Sequence, residues 1–148
     1  MTSPGIFKTY KQRGEWVELL FMTRAAGRGF SVSKPWGDST RYDVSVESEG
    51  RFRRVQVKST SALHGERGFV CTLKRTGIHY YRLDEVDFFA LYVLPEDVWY
   101  ILPARVVLKL ASNIRLAPRD KEQKYARYIE AWGLLRRRAS GDPSLRSG

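Results

Sequence analysis

The spacing of apolar and polar residues changes period along this chain, and each change marks an element. Tyr42, Val44 and Val46 alternate with Asp43, Ser45 and Glu47, and Phe52, Arg54, Gln56 and Lys58 alternate with Arg53, Val55 and Val57. Period two in both stretches predicts two neighbouring strands. Between them Ser48-Glu49-Gly50-Arg51 predicts an antiparallel hairpin with a four-residue loop. That loop pairs Glu47 with Phe52 and Asp43 with Gln56, with Lys58 on the same face.

Helical spacing comes earlier. From residue 9 or 11 to about 26, Val17, Leu20, Phe21 and Arg24 recur at three- and four-residue steps, and Trp16, Leu19 and Met22 widen the apolar side. Gly27 and Gly29 supply the stop. Glu18 shares a stripe with Phe21, Met22 and Ala25, so its carboxylate turns inward, where it needs a cation or a hydrogen-bond donor. Glu15 reads as a solvated acid of the first turn.

Residues 30–34 and 68–73 predict further strands. The nearly continuous apolar run 86–94 predicts a strand buried on both faces, returning through 99–102 as a hairpin that completes the sheet. A short helix or turn over 104–110 and a brief strand over 113–116 follow. Asp120 with Gln123 reads as a capping box opening a helix over 121–138. Tyr125, Tyr128, Ile129, Trp132 and Leu135 share a face of that helix, expected to pack on its own sheet, with a subunit interface as the alternative. Asp38 reads as an Asx-turn former, with a ligand role as the alternative. The pattern gives one domain over 1–138 and a disordered basic tail over 139–148.

Composition narrows the setting. A chain of 148 residues, 43% of them hydrophobic, supports one core. It holds no long apolar run and no secretory pattern at its start, so the expected location is cytoplasmic, nucleoid-associated if DNA-bound, with no membrane partner. A single cysteine, Cys71, excludes an intramolecular disulfide and reads as buried structure. His64 and His79 stand in no metal-type or nucleophile-type spacing. Net charge is +10, from 26 Lys and Arg against 16 Asp and Glu, which points to a polyanionic partner. Residues 74–83 mix bases with aromatics and read either as a nucleic-acid contact or as a packed connector.

Glu18, Asp43 and the Gln56 amide oxygen form a set of hard oxygen donors, and Lys58 adds an ammonium. Mg²⁺ prefers such donors and needs only one or two carboxylates to be held against a phosphate. Lys58 then orients water and offsets charge on phosphorus. The bland alternative is a polar hairpin with Asp43 paired to Lys58 and Gln56 exposed.

Asp43, twelve intervening residues and Gln56-Val57-Lys58, preceded by Gly14-Glu15-Trp16-Val17-Glu18, resemble the PD-(D/E)XK nuclease superfamily. With Gln before X-Lys and with Trp99-Tyr100-Ile101-Leu102-Pro103, the chain is similar to the group I intron homing endonucleases of PD-(D/Q)XK type. It resembles archaeal Holliday-junction resolvases more loosely, through Gly14 and Glu18. The resemblance implies an α/β fold with a restriction-endonuclease-like core, a mixed sheet flanked by helices. It also implies hydrolysis of DNA, double-stranded or branched, with Mg²⁺ or alternatively Mn²⁺, by a homo-oligomer, dimer or tetramer. Glu18, Asp43, Gln56 and Lys58 would be catalytic, the first three at the metal. Lys34, Arg41, Arg53, Arg54, Lys74 and Arg75 are candidate nucleic-acid contacts. Tyr42 replaces the motif's Pro and Gln56 its commoner acid; Glu47, further along the same strand face, is the candidate for a migrated acid. Two further readings stay open: a nucleic-acid-binding module whose catalysis has lapsed, and a protein-interaction subunit of a defence or repair assembly using the aromatic C-terminal helix.

Overall fold

The computed structural model describes residues 5–37, 40–66, 68–73, 82–110 and 112–136. Helix α1 spans Tyr10–Gly27. Its N-terminus is fixed by reciprocal bonds: the Thr9 hydroxyl accepts from the Gln12 amide at 3.0 Å, and the Gln12 side chain accepts from the Lys8 amide at 2.7 Å. Gly29, at φ +93°, turns the chain away after the helix.

Strands β1 (Ser31–Ser33), β2 (Val44–Ser48), β3 (Arg51–Thr60), β6 (Phe88–Val93) and β7 (Val98–Pro103) form a mixed five-stranded sheet in the order β1-β2-β3-β6-β7. β3 and β6 run parallel and the other neighbours antiparallel. Between β3 and β6 the chain builds β4 (Leu63–His64) and β5 (Gly68–Thr72), which join β8 (Asn113–Leu116) in a second, three-stranded sheet. Short helix α2 (Ala104–Val107) follows β7.

Strand alternation sorts two cores onto the two faces of the larger sheet. Val44, Val46, Val55, Val57, Ala90 and Ile101 meet Val17, Phe21 and Ala25 of α1. Phe89, Leu91, Val93 and Leu102 meet Phe69, Cys71, Ile114 and Leu116 of the second sheet. The apolar run through β6 is thus buried on both faces, as its pattern predicts. Of α1 the buried stripe is Arg13, Val17, Phe21 and Ala25, while Leu19 is 59% exposed, so the apolar side is narrower than expected.

Two expectations are corrected. The hairpin loop has two residues, not four: Ser48 pairs with Arg51, and Glu49 and Gly50 take φ +55° and +79°. Both central residues with positive φ match the right-handed twist of the flanking strands. The Glu47 to Phe52 register is as expected. The helix over 121–138 does not form within the described residues. The chain makes 3₁₀ turns at Ala126–Tyr128 and Trp132–Arg136, separated by a bridge from Ile129 to Tyr100 of β7. Tyr125 and Tyr128 pack into the core on one face of the sheet, Trp132 and Leu135 into the core on the other. A continuous helix cannot wrap a sheet edge in this way. Glu130, at φ +50°, makes the corner, and its carboxylate accepts from the Trp99 amide at 2.7 Å and from Trp132 Nε1 at 2.9 Å. This wrap covers the β7 edge, which would otherwise offer unpaired backbone groups. It also buries the aromatic surface that the protein-interaction reading needed.

Candidate active site

β3 outruns β2. Their ladder stops at Val44 opposite Val55, with one further bond from the Asp43 amide to the Val55 carbonyl at 2.9 Å, and β3 continues to Thr60 paired only with β6 on its other side. The Asp43 carboxylate closes this fork: Oδ2 accepts from the Val57 amide at 2.9 Å. Asp43 therefore lies beside Gln56, as the hairpin register requires, and is tied to the backbone between Gln56 and Lys58.

α1 brings the second carboxylate. Glu18 lies on the flank of the helix nearer β1 and accepts from Lys34 Nζ at 2.7 Å. A cavity of about 480 Å³ opens here, lined among others by Lys11, Gly14, Glu15, Glu18, Asp43 and Gln56. Lys34, Arg41 and Tyr42 belong to the same wall. Glu15 belongs to the second helical turn and faces this cavity, which corrects its reading as a first-turn acid. Glu47 pairs with Phe52 at the hairpin end and is absent from the lining; Lys58 is also outside the lining, two residues beyond Gln56 on β3.

The charges at the fork are held away from comfort. Burial first, and the nearby Glu18 carboxylate after it, push the Asp43 carboxyl up to about 6 against the opposing Val57 amide bond. Burial lowers the Lys58 ammonium, with Cys71 and Asp43 pulling it back. The hydrogen bond to Glu18 raises Lys34. Gln56 is 8% exposed, not on an open face as the bland reading had it. Cys71 is buried as expected, its thiol pushed up to about 12 by that burial.

Among the described residues no three His, Cys, Asp or Glu side chains converge. A divalent cation at this cavity would therefore rest on the Glu18 and Asp43 carboxylates and the Gln56 amide oxygen. Two carboxylates and an amide oxygen suffice for a hard cation that keeps several waters, and all three residues line one cavity, so the donor set fits.

The remaining sequence candidates divide. Arg41 pairs with Glu85 at 2.8 Å. Arg54 is committed to Asp87, through Nε at 3.0 Å and Nη2 at 3.1 Å, and also donates to the Asp84 carbonyl. Arg53 lies on β3, part-buried. Lys74, Arg75, His79 and Asp38 fall outside the described residues. Lys11 was missed, although its spacing of three before Gly14 and seven before Glu18 places it on the same helix stripe.

A family model described as PD-(D/E)XK endonuclease matches residues 8–135. The chain belongs to the PD-(D/E)XK endonuclease family. No curated protein matches it. Among solved structures, the bacterial homing endonuclease I-Ssp6803I is similar, at 31% identity and TM-score 0.74 over 87% of this chain and 92% of that one. The Holliday junction resolvase Hjc of Archaeoglobus fulgidus is also similar, at 15% identity and TM-score 0.57 over 86% of this chain and 98% of that one. The second likeness shows the fold alone. This PD-(D/E)XK chain thus has the restriction-endonuclease-like architecture expected of it, and among its described residues no helix is long and apolar enough to cross a membrane.

Proposed function

We propose that this chain is a DNA endonuclease of the PD-(D/Q)XK type that hydrolyses phosphodiester bonds with Mg²⁺, or Mn²⁺ in its place. The observation that carries this reading is the fork beside β3, where the Asp43 carboxylate, tied to the Val57 amide, shares a cavity wall with Glu18 and Gln56, and where Asp43 is raised and Lys58 lowered. Structural ion pairs hold their members charged, whereas these two are each driven toward neutrality.

Glu18, Asp43 and Gln56 would hold the cation, which supplies polarisation of a phosphoryl oxygen and a lowered pKa for water. Asp43 is pre-aimed by its Val57 bond, so its carboxylate is placed before any ligand arrives. Lys34 occupies Glu18 meanwhile and supplies positive charge to the two carboxylates. Lys58 orients the attacking water and offsets charge developing on phosphorus; its lowered pKa also eases transfer of a proton at Nζ. DNA as substrate is supported by the net charge of +10 and by the likeness to a homing endonuclease. Cleavage of both strands of a duplex calls for two such sites, hence a homodimer or a dimer of dimers.

The lapsed-binder reading is favoured by one observation, the neutral amide at position 56. Plasmid DNA incubated with the protein and Mg²⁺, beside Lys58→Ala, separates the readings. Nicking by the parent and not the variant is the expected result. Salt-sensitive binding with no cleavage of duplex, junction or single strand would favour the binding module.

A further inference from the structure

Gly14 is the fifth residue of α1, just past its first turn and far from its stop. A glycine there weakens a helix by about 1 kcal/mol relative to alanine, so its place calls for a reason. Packing gives none: a Cβ built on Gly14 meets no heavy atom within 4 Å. Gly68 makes the contrast, since a Cβ there would stand 2.9 Å from the Arg115 guanidinium laid across it. Nor does backbone conformation demand glycine, because Gly14 holds ordinary helical φ and is not among the positive-φ residues.

Its empty side opens onto the cavity that holds Glu18 and Asp43. Gly14 is one turn before Glu18 on the same stripe, and Lys11 is one turn earlier still. This wall of the cavity therefore runs from a cation, over the bare backbone at Gly14 with Glu15 beside it, to the Glu18 carboxylate. The feature that such a wall accommodates is a bulky, negatively charged chain passing close to the helix on its way to the carboxylates.

Resting on the nuclease reading, we propose that Gly14 is the point of closest approach between α1 and the sugar–phosphate backbone of the substrate strand. The missing side chain is the room the strand occupies, and Lys11 takes a phosphate on the near side of it. Gly14 acts as a positioning residue: a side chain there lifts the strand from the helix and moves the scissile phosphate off Glu18 and Asp43, leaving the fold untouched.

Full-length Gly14→Ala and Gly14→Leu, with Thr23→Leu on the outward, exposed face of α1 as control, are compared with the parent for thermal unfolding and Mg²⁺-dependent plasmid cleavage. Both Gly14 variants unfold at or above the parent's temperature. Cleavage falls by about tenfold for alanine and about a hundredfold or more for leucine, a loss on the scale that a displacement of about 1 Å produces. Thr23→Leu cuts at the parental rate. Parental cleavage by Gly14→Leu would overturn the proposal, as would early unfolding of both Gly14 variants, which would make Gly14 a packing residue. A parent that cuts no DNA would instead sink the nuclease reading, and this inference with it.

Discussion

Two positions of β3, four residues apart, each set a cation against a carboxylate, and the two pairs behave in opposite ways. Arg54 and Asp87 satisfy one another: Asp87 accepts from the Arg54 amide at 2.8 Å and from two guanidinium nitrogens. Burial pushes Asp87 up, but those bonds outweigh it and leave its pKa lowered, while Arg54 is raised by the same contacts. Each member is held in its charged form, and the pair pins the start of β6 to β3. Lys58 and Asp43 are shifted the other way, both toward the neutral form, by burial that their mutual attraction does not offset. One strand thus borders a charge pair held ionised and another pushed toward neutrality by burial.

Substitution separates the two most sharply. Lys58→Ala is expected to lower Mg²⁺-dependent cleavage by about a hundredfold or more, the scale on which lost transition-state electrostatics are felt. Arg54→Ala, in the same assay, is expected to stay within about threefold of the parent, because its guanidinium is committed to Asp87 and the Asp84 carbonyl.

Acidity sharpens the contrast next. A metal ligand must be deprotonated, so at limiting Mg²⁺ cleavage is expected to decline by about tenfold per unit once pH falls below about 6, where Asp43 takes up its proton. Saturating Mg²⁺ moves that decline to lower pH. A profile flat down to pH 5 at limiting metal would detach Asp43 from the cation.

The smallest effect is on stability. Arg54→Ala leaves Asp87 half-buried beside fewer donors, and the loss is about 1–2 kcal/mol once solvent screening of this partly exposed pair is allowed for. Chemical denaturation reads it as a lower midpoint at unchanged slope.

Much of this was legible in the sequence because it rests on period and register. The alternation about Asp43 and Gln56 fixed which residues share a face, and the six-residue apolar run of β6 required burial on both sides. The hairpin turn was misread because Glu49 is an uncommon residue at positive φ, and Glu-Gly carries a weaker turn signal than Asn-Gly or Asp-Gly. The C-terminal segment was misread for a deeper reason. Tyr125, Tyr128, Trp132 and Leu135 recur with helical spacing, yet they serve two cores on opposite faces of one sheet, and only the tertiary fold decides between a helix and a wrap. Of the site, the residue types were readable, and so was the inward turn of Glu18. The closing of the fork by Asp43 on the Val57 amide was not, because it depends on where β2 stops.

Asp43→Asn tests the central claim most directly, with unfolding and cleavage measured on the same sample near pH 8. The Asp43 carboxyl rises from 3.8 to about 6 on folding, so its contribution to stability is present at low pH and is lost as pH rises through 6. Above that, an ionised Asp43 strains the metal-free fold. Asparagine keeps an oxygen for the Val57 amide and removes the charge. The account predicts a metal-free protein more stable by about 1–2 kcal/mol and cleavage lost by about a hundredfold or more. A variant that is destabilised, or that still cuts DNA at the parental rate, would contradict it.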